Sequence, residues 1–258
     1  RRHFLGLLVR FEIVTVIYLA LCTLMGMTFP TGQILLAFTG FENFGNSTWY
    51  IFVMLAMYLI IFVAFQPYRR NERRYLYLSA ALLTAGAMLL ILFLRRMDKE
   101  AYWFNTLFMF VVGVWYSLLR KPFERLVMRS TRTYLAAWTV LLLIFCVTYP
   151  FKGNWQMTDF VMLTIWEIAL MLMFVLFTMK ITIRNSLLEW LGEHIFSIYM
   201  LQYIPLGLMK WKGYTGSETR YLFVAVTFIT SCLMAAVFQP CTQKLVDRLF
   251  PRIEDRRS

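Results

Sequence analysis

Eight stretches of about twenty predominantly apolar residues recur along the chain, each long enough to cross a bilayer as a helix. They run approximately Phe11–Phe29, Thr48–Phe65, Tyr75–Leu94, Ala101–Leu119, Thr133–Phe151, Met157–Met179, Leu187–Met209 and Arg220–Gln239. They are continuously apolar rather than alternating in short segments, which selects helices over a membrane barrel. Of the 258 residues, 60% are hydrophobic and 16% charged; a water-soluble chain carries about a quarter charged residues. The expected fold is therefore all-α: a polytopic transmembrane helical bundle of about eight spans, forming one membrane domain over residues 1–258.

Charge sits where topology would place it. Of the 26 lysines and arginines, 19 lie at the N-terminal end, at every second connection (Arg69, Arg70, Arg73, Arg74; Arg120, Lys121, Arg125, Arg129, Arg132; Lys180, Arg184) and in the C-terminal tail. The intervening connections hold seven. This alternation predicts that both ends of the chain are cytoplasmic. The net charge of +12 then points to anionic lipid headgroups rather than nucleic acid. Aromatic residues cluster at span ends, as at Trp49-Tyr50, Tyr102-Trp103 and Trp211, where rings with a polar edge favour the interface. The short apolar segment Ile34–Phe38, between Pro30 and Gly40, is too short to span and reads as interfacial or re-entrant.

No metal site or disulfide framework is expected, because Cys22, Cys146, Cys232 and Cys241 form no CxxC pair. Phosphate-binding, serine-hydrolase and zinc-protease motifs are absent. Attention falls instead on ionisable groups inside spans, which are costly there and mark functional sites by default. Glu167 lies mid-span, with Thr164 one turn earlier within hydrogen-bonding reach. It reads either as a catalytic or substrate-binding carboxylate or as half of a structural pair with an Arg. Glu12 reads as an interfacial partner of Arg10. His194 is a candidate general base; His3 is a lesser one. In the seventh run, His194 and Ser197 share one helix face and Tyr199 and Gln202 another.

That run reads Leu191-Gly192-Glu193-His194-Ile195-Phe196-Ser197-Ile198-Tyr199-Met200-Leu201-Gln202. It resembles a signature of the membrane-bound acyltransferase-3 family, roughly Leu-Gly-x-x-Ser-Phe-x-Ile-Tyr-Leu-x-His. Ser47-Thr48-Trp49-Tyr50-Ile51-Phe52 and Phe110-Val111-Val112-Gly113-Val114 are similar to two further family features, in the same order. Gln202 stands where many members have His, and Ile195 where they have Ser. The family's first span usually carries a basic residue and, about ten residues on, a His; no such helix is present here. Members usually have about ten spans, so the resemblance implies that the first two or three helices, with the usual base, precede this sequence.

The resemblance also implies an enzyme: an O-acyltransferase moving an acetyl group from cytoplasmic acetyl-CoA to a sugar hydroxyl of a surface or exported polysaccharide, in a bacterial cytoplasmic membrane. Acyl-CoA is then a co-substrate rather than a permanently bound cofactor, and the partners are membrane lipids and a glycan acceptor. On that reading Glu167 and His194 are the catalytic candidates. Trp49, Tyr50, Tyr199 and Gln202 are candidates for holding the sugar. Arg69, Arg70, Arg73, Arg74, Arg120 and Arg125 are candidates for the CoA phosphates. A transporter or flippase for a polar or lipid-linked substrate is the alternative, and a non-catalytic scaffold, which requires Glu167 to be fully paired, is the third reading.

Overall fold

The computed structural model describes residues 2–44, 48–66, 73–151, 157–214 and 220–250. Among them, ten α-helices and no strands are seen: α1 (Arg2–Leu24), α2 (Thr31–Phe38), α3 (Thr48–Ala64), α4 (Arg73–Arg96), α5 (Leu107–Val127), α6 (Thr131–Thr148), α7 (Met157–Lys180), α8 (Ser186–Leu201), α9 (Tyr203–Trp211) and α10 (Arg220–Leu249). The all-α membrane bundle is therefore the observed architecture.

Six helical segments are long and apolar enough to cross a membrane, on α1, α4, α5, α6, α7 and α10. α3, at 17 residues, is a shorter apolar helix. The seventh expected span, Leu187–Met209, is not one helix. Pro205 has no N–H for the carbonyl of Leu201, four residues back, and α8 stops there. The chain resumes as α9 with Leu206 N–H on the Gln202 carbonyl at 3.3 Å.

Several boundaries move for identifiable reasons. α1 ends at Leu24 because Gly26 takes φ +79° and closes a Schellman motif, with Met27 N–H on the Cys22 carbonyl and Gly26 N–H on that of Thr23. α5 continues past Leu119 through Pro122 to Val127, so Arg120, Lys121 and Arg125 lie on a helix rather than in a loop. α10 likewise passes Pro240 and carries Lys244 and Arg248. α6 starts at a capping box, Ser130 with Thr133, and α8 at Asn185, whose side chain accepts from Leu187 and Leu188 N–H. The segment expected to be interfacial or re-entrant is the short helix α2, packed on α1.

The chain divides into two compact units, one of Arg1–Phe52 with Arg184–Ser258 and one of Val53–Ile183. In the first, Phe11, Val14, Thr15, Tyr18 and Cys22 form a buried stripe at helical spacing on α1. α8 packs on α1 and α10. The buried residues of α10 include Ser231, Ala235, Thr242 and Val246, mostly small groups of the kind that let helices approach closely in lipid. In the second unit, α6 and α7 form an antiparallel hairpin, and α5 packs on α4, α6 and α7. Gly86 of α4 faces Ile60 of α3 so closely that a Cβ would stand 2.5 Å from the Ile60 Cγ2. Only 6% of the α6 span is buried, leaving its apolar side chains for lipid.

Candidate functional site

In the first unit, three of the four residues expected to hold a sugar come together. Trp49 and Tyr50, at the start of α3, meet edge to face with ring centroids 6.0 Å apart. Tyr50 in turn meets Tyr199 of α8 at 5.3 Å and 65°. Tyr50 remains 40% exposed, so the row has an open side. Gln202 does not join by any hydrogen bond among the described residues; it caps α8 through its backbone N–H on the Ile198 carbonyl.

α8 is held at fixed rotation by polar contacts with its neighbours. The buried Tyr18 hydroxyl of α1 donates to the Met200 carbonyl at 3.1 Å. The Gln239 amide of α10 accepts from the Ser197 hydroxyl and donates to the Glu193 carbonyl, both at 3.1 Å. Ser197 is thereby turned into the α10 interface, away from any role beside His194. Gln239 lay outside the sequence reading; the signal was a long polar side chain immediately before Pro240 in an apolar run.

His194 stacks on Trp190, with centroids 4.2 Å apart and an interplanar angle of 18°. Its Nδ1 lies 2.8 Å from the Trp190 carbonyl. A carbonyl only accepts, so Nδ1 carries a proton, which leaves Nε2 as the nitrogen able to take one. An Nδ1–H anchored on a backbone carbonyl is the arrangement that orients a general base. His3 is described only by its backbone.

The expected pair of Arg10 with Glu12 is not formed, because residues two apart on a helix do not face each other. Arg10 donates instead to the Gln243 side chain of α10 at 2.5 Å, and the Gln243 amide donates to Asp247 at 2.6 Å. One Glu12 carboxyl oxygen is buried without a hydrogen bond among the described residues.

In the second unit, Glu167 lies on α7 beside Trp166, which stacks on Phe145 at 5.1 Å. The Thr164 hydroxyl does not reach Glu167; it donates to the Phe160 carbonyl at 2.8 Å, the usual satisfaction of a hydroxyl inside a membrane helix. Glu167 Oε2 is buried and meets no hydrogen-bond partner among the described residues. The full pairing that a purely structural carboxylate would require is not seen there.

Of the arginines expected at CoA phosphates, Arg69 and Arg70 lie outside the described residues. Arg73 and Arg74 open α4, and only their backbone is described. Arg120 pairs with Glu124 one turn on at 2.6 Å, an exposed pair of the kind that contributes little stability. Arg125 sits exposed in the last turn of α5. Among the described residues, no group of three or more His, Cys, Asp or Glu could hold a metal ion.

A family model described as an acyltransferase domain matches residues 1–238 of the chain. No curated protein and no solved structure matches it.

Proposed function

The chain belongs to the acyltransferase-3 family, and we propose that this integral membrane acyltransferase acetylates a sugar hydroxyl of a cell-surface or exported polysaccharide, using acetyl-CoA from the cytoplasm. Acyl transfer rests on the family. The choice of a sugar acceptor rests on one observation, the half-open row of Trp49, Tyr50 and Tyr199, since sugar rings present C–H faces that pack on aromatic rings while their hydroxyls stay free to bond.

The chemistry then assigns roles. His194 Nε2 takes the proton of the acceptor hydroxyl, whose oxygen attacks the thioester carbonyl. The tetrahedral oxyanion collapses, the C–S bond breaks, and the leaving thiolate recovers the proton from the imidazolium. Glu167 is a polar contact for substrate within the second unit. Arg73, Arg74, Arg120 and Arg125 lie on the side where acyl-CoA is found if both ends of the chain are cytoplasmic, as charge alternation implies for a bacterial cytoplasmic membrane. A phosphate would compete readily for Arg120, whose present partner is an exposed carboxylate.

The flippase alternative is favoured by one feature, the Pro-broken α8–α9. Transporters of that kind pair such a break with a matching one in a second repeat, which is not seen among the described residues.

The test is transfer of radiolabelled acetyl from acetyl-CoA to glycan by the purified full chain in lipid, alongside His194→Asn. Asn keeps a donor for the Trp190 carbonyl but removes the base. The variant should lose about 10²–10⁴-fold in kcat with the fold intact. No transfer to any glycan by the unaltered chain would sink the proposal; undiminished kcat in the variant would remove His194 from it.

A further inference from the structure

At the turn between α4 and α5 a cleft of about 500 Å³ opens, lined by Arg95, Asp98, Lys99, Glu100, Tyr102 and Phe104 among others. Its size falls within the roughly 300–1,000 Å³ of small-molecule sites. We propose that this cleft is a second glycan-holding site, taking a polyhydroxylated sugar unit of the acceptor. The identity of the occupant rests on the reading of the acceptor as a glycan.

Backbone conformation supplies the first argument. The α4 terminus is a Schellman motif, with Lys99 N–H on the Leu94 carbonyl and Asp98 N–H on that of Arg95. The residue at its left-handed position is Asp98, at φ +51°. The corresponding positions after α1, α2 and α9 are Gly26, Gly40 and Gly213. Asp98 is the one non-glycine residue with positive φ among those described. Aspartate enters the left-handed region more readily than most residues, and here it is one of the residues that line the cleft.

The lining supplies the second. Arg95 and Lys99 are balanced by Asp98 and Glu100, so the cleft has no net field to hold a polyphosphate. It is lined instead by side chains that donate, side chains that accept and two aromatic rings, Tyr102 and Phe104. The Asp98 and Glu100 carboxylates have no hydrogen-bond or ion-pair partner among the described residues; Glu100 begins a single 3₁₀ turn, Ala101–Trp103, without capping it. Both carboxylates are therefore available to accept from vicinal hydroxyls. Lys99 is positioned over the Trp103 ring at 4.8 Å, and Tyr102 leaves part of its ring open. Two carboxylates, two cations and aromatic rings together fit a sugar better than a nucleotide or a lipid tail.

The test is direct binding to the purified full chain, by calorimetry, of chitotetraose, maltotetraose and a tetragalacturonate, with adenosine 3′,5′-bisphosphate as a polyanion control. Asp98→Gly keeps the left-handed turn and should melt no lower than the unaltered chain. It and Tyr102→Ala should each weaken oligosaccharide binding about tenfold or more, with bisphosphate binding unchanged. The proposal is overturned if none of the oligosaccharides binds, if both variants bind them as tightly, or if the bisphosphate is what the variants lose. Acetyl transfer measured on the same preparation separates the two readings: binding without transfer removes the acetylation proposal alone, and transfer with unaltered binding in the variants removes the cleft alone.

Discussion

At the scale of single residues, Glu167 is the most informative side chain. A carboxyl oxygen buried in a span with no partner among the described residues destabilises the fold, by about 1–3 kcal/mol for a typical buried unsatisfied group. Glu167→Leu should therefore raise the unfolding midpoint in detergent while lowering acetyl transfer. A drop in the midpoint would identify a structural pair instead. The aromatic row makes a different prediction. Stacking on one ring is worth about 0.5–1.5 kcal/mol, so Tyr199→Ala should raise the KM for acceptor glycan about 2- to 10-fold, leaving the KM for acetyl-CoA and kcat near their unaltered values. A change confined to kcat would assign Tyr199 to the chemistry rather than to holding the acceptor.

At the scale of elements, the interface of α8 with α10 is governed by one amide. Gln239 makes two bonds to α8, to Ser197 and to the Glu193 carbonyl. Interhelical bonds in membranes contribute about 0.6 kcal/mol each on average and up to about 1.7. Gln239→Ala should thus lower stability by about 1–2 kcal/mol, with most of the Ser197→Ala effect absorbed in the double variant; additivity of the two, measured by denaturant unfolding, would show that the amide is not shared. The break between α8 and α9 has a consequence of its own. It ends α8 just beyond Tyr199, so the residue that completes the aromatic row sits in the last turn of a helix whose rotation Tyr18 and Gln239 jointly set.

At the scale of the whole molecule, the alternation of charge sets the expected orientation. In a cysteine-free background, Arg129→Cys should react with a membrane-impermeant maleimide only after the membrane is opened, and Lys212→Cys in intact cells. The reverse pattern would invert the chain and place its arginines away from acyl-CoA. Much of the architecture was legible beforehand because a bilayer leaves a continuous apolar run few options beyond a helix. The run containing Pro205 was misread as one span because apolarity says nothing of a missing N–H; Pro205 was visible, but its effect on the Leu201 carbonyl depends on the local backbone.

The candidate site divides along the same line. Sequence alone determined the helical class, the family resemblance, the candidates Trp49, Tyr50, Tyr199, His194 and Glu167, and the alternation of charge, since these depend on residue type and spacing along the chain. Tertiary structure alone decided that Tyr50 meets Tyr199, that Ser197 turns to Gln239 rather than to His194, that Arg10 bonds Gln243 instead of Glu12, and that a cleft opens beside Asp98. The first three are contacts between side chains far apart in sequence, and the cleft is a shape of the turn between α4 and α5; helical periodicity constrains only residues within a turn or two of each other on one helix.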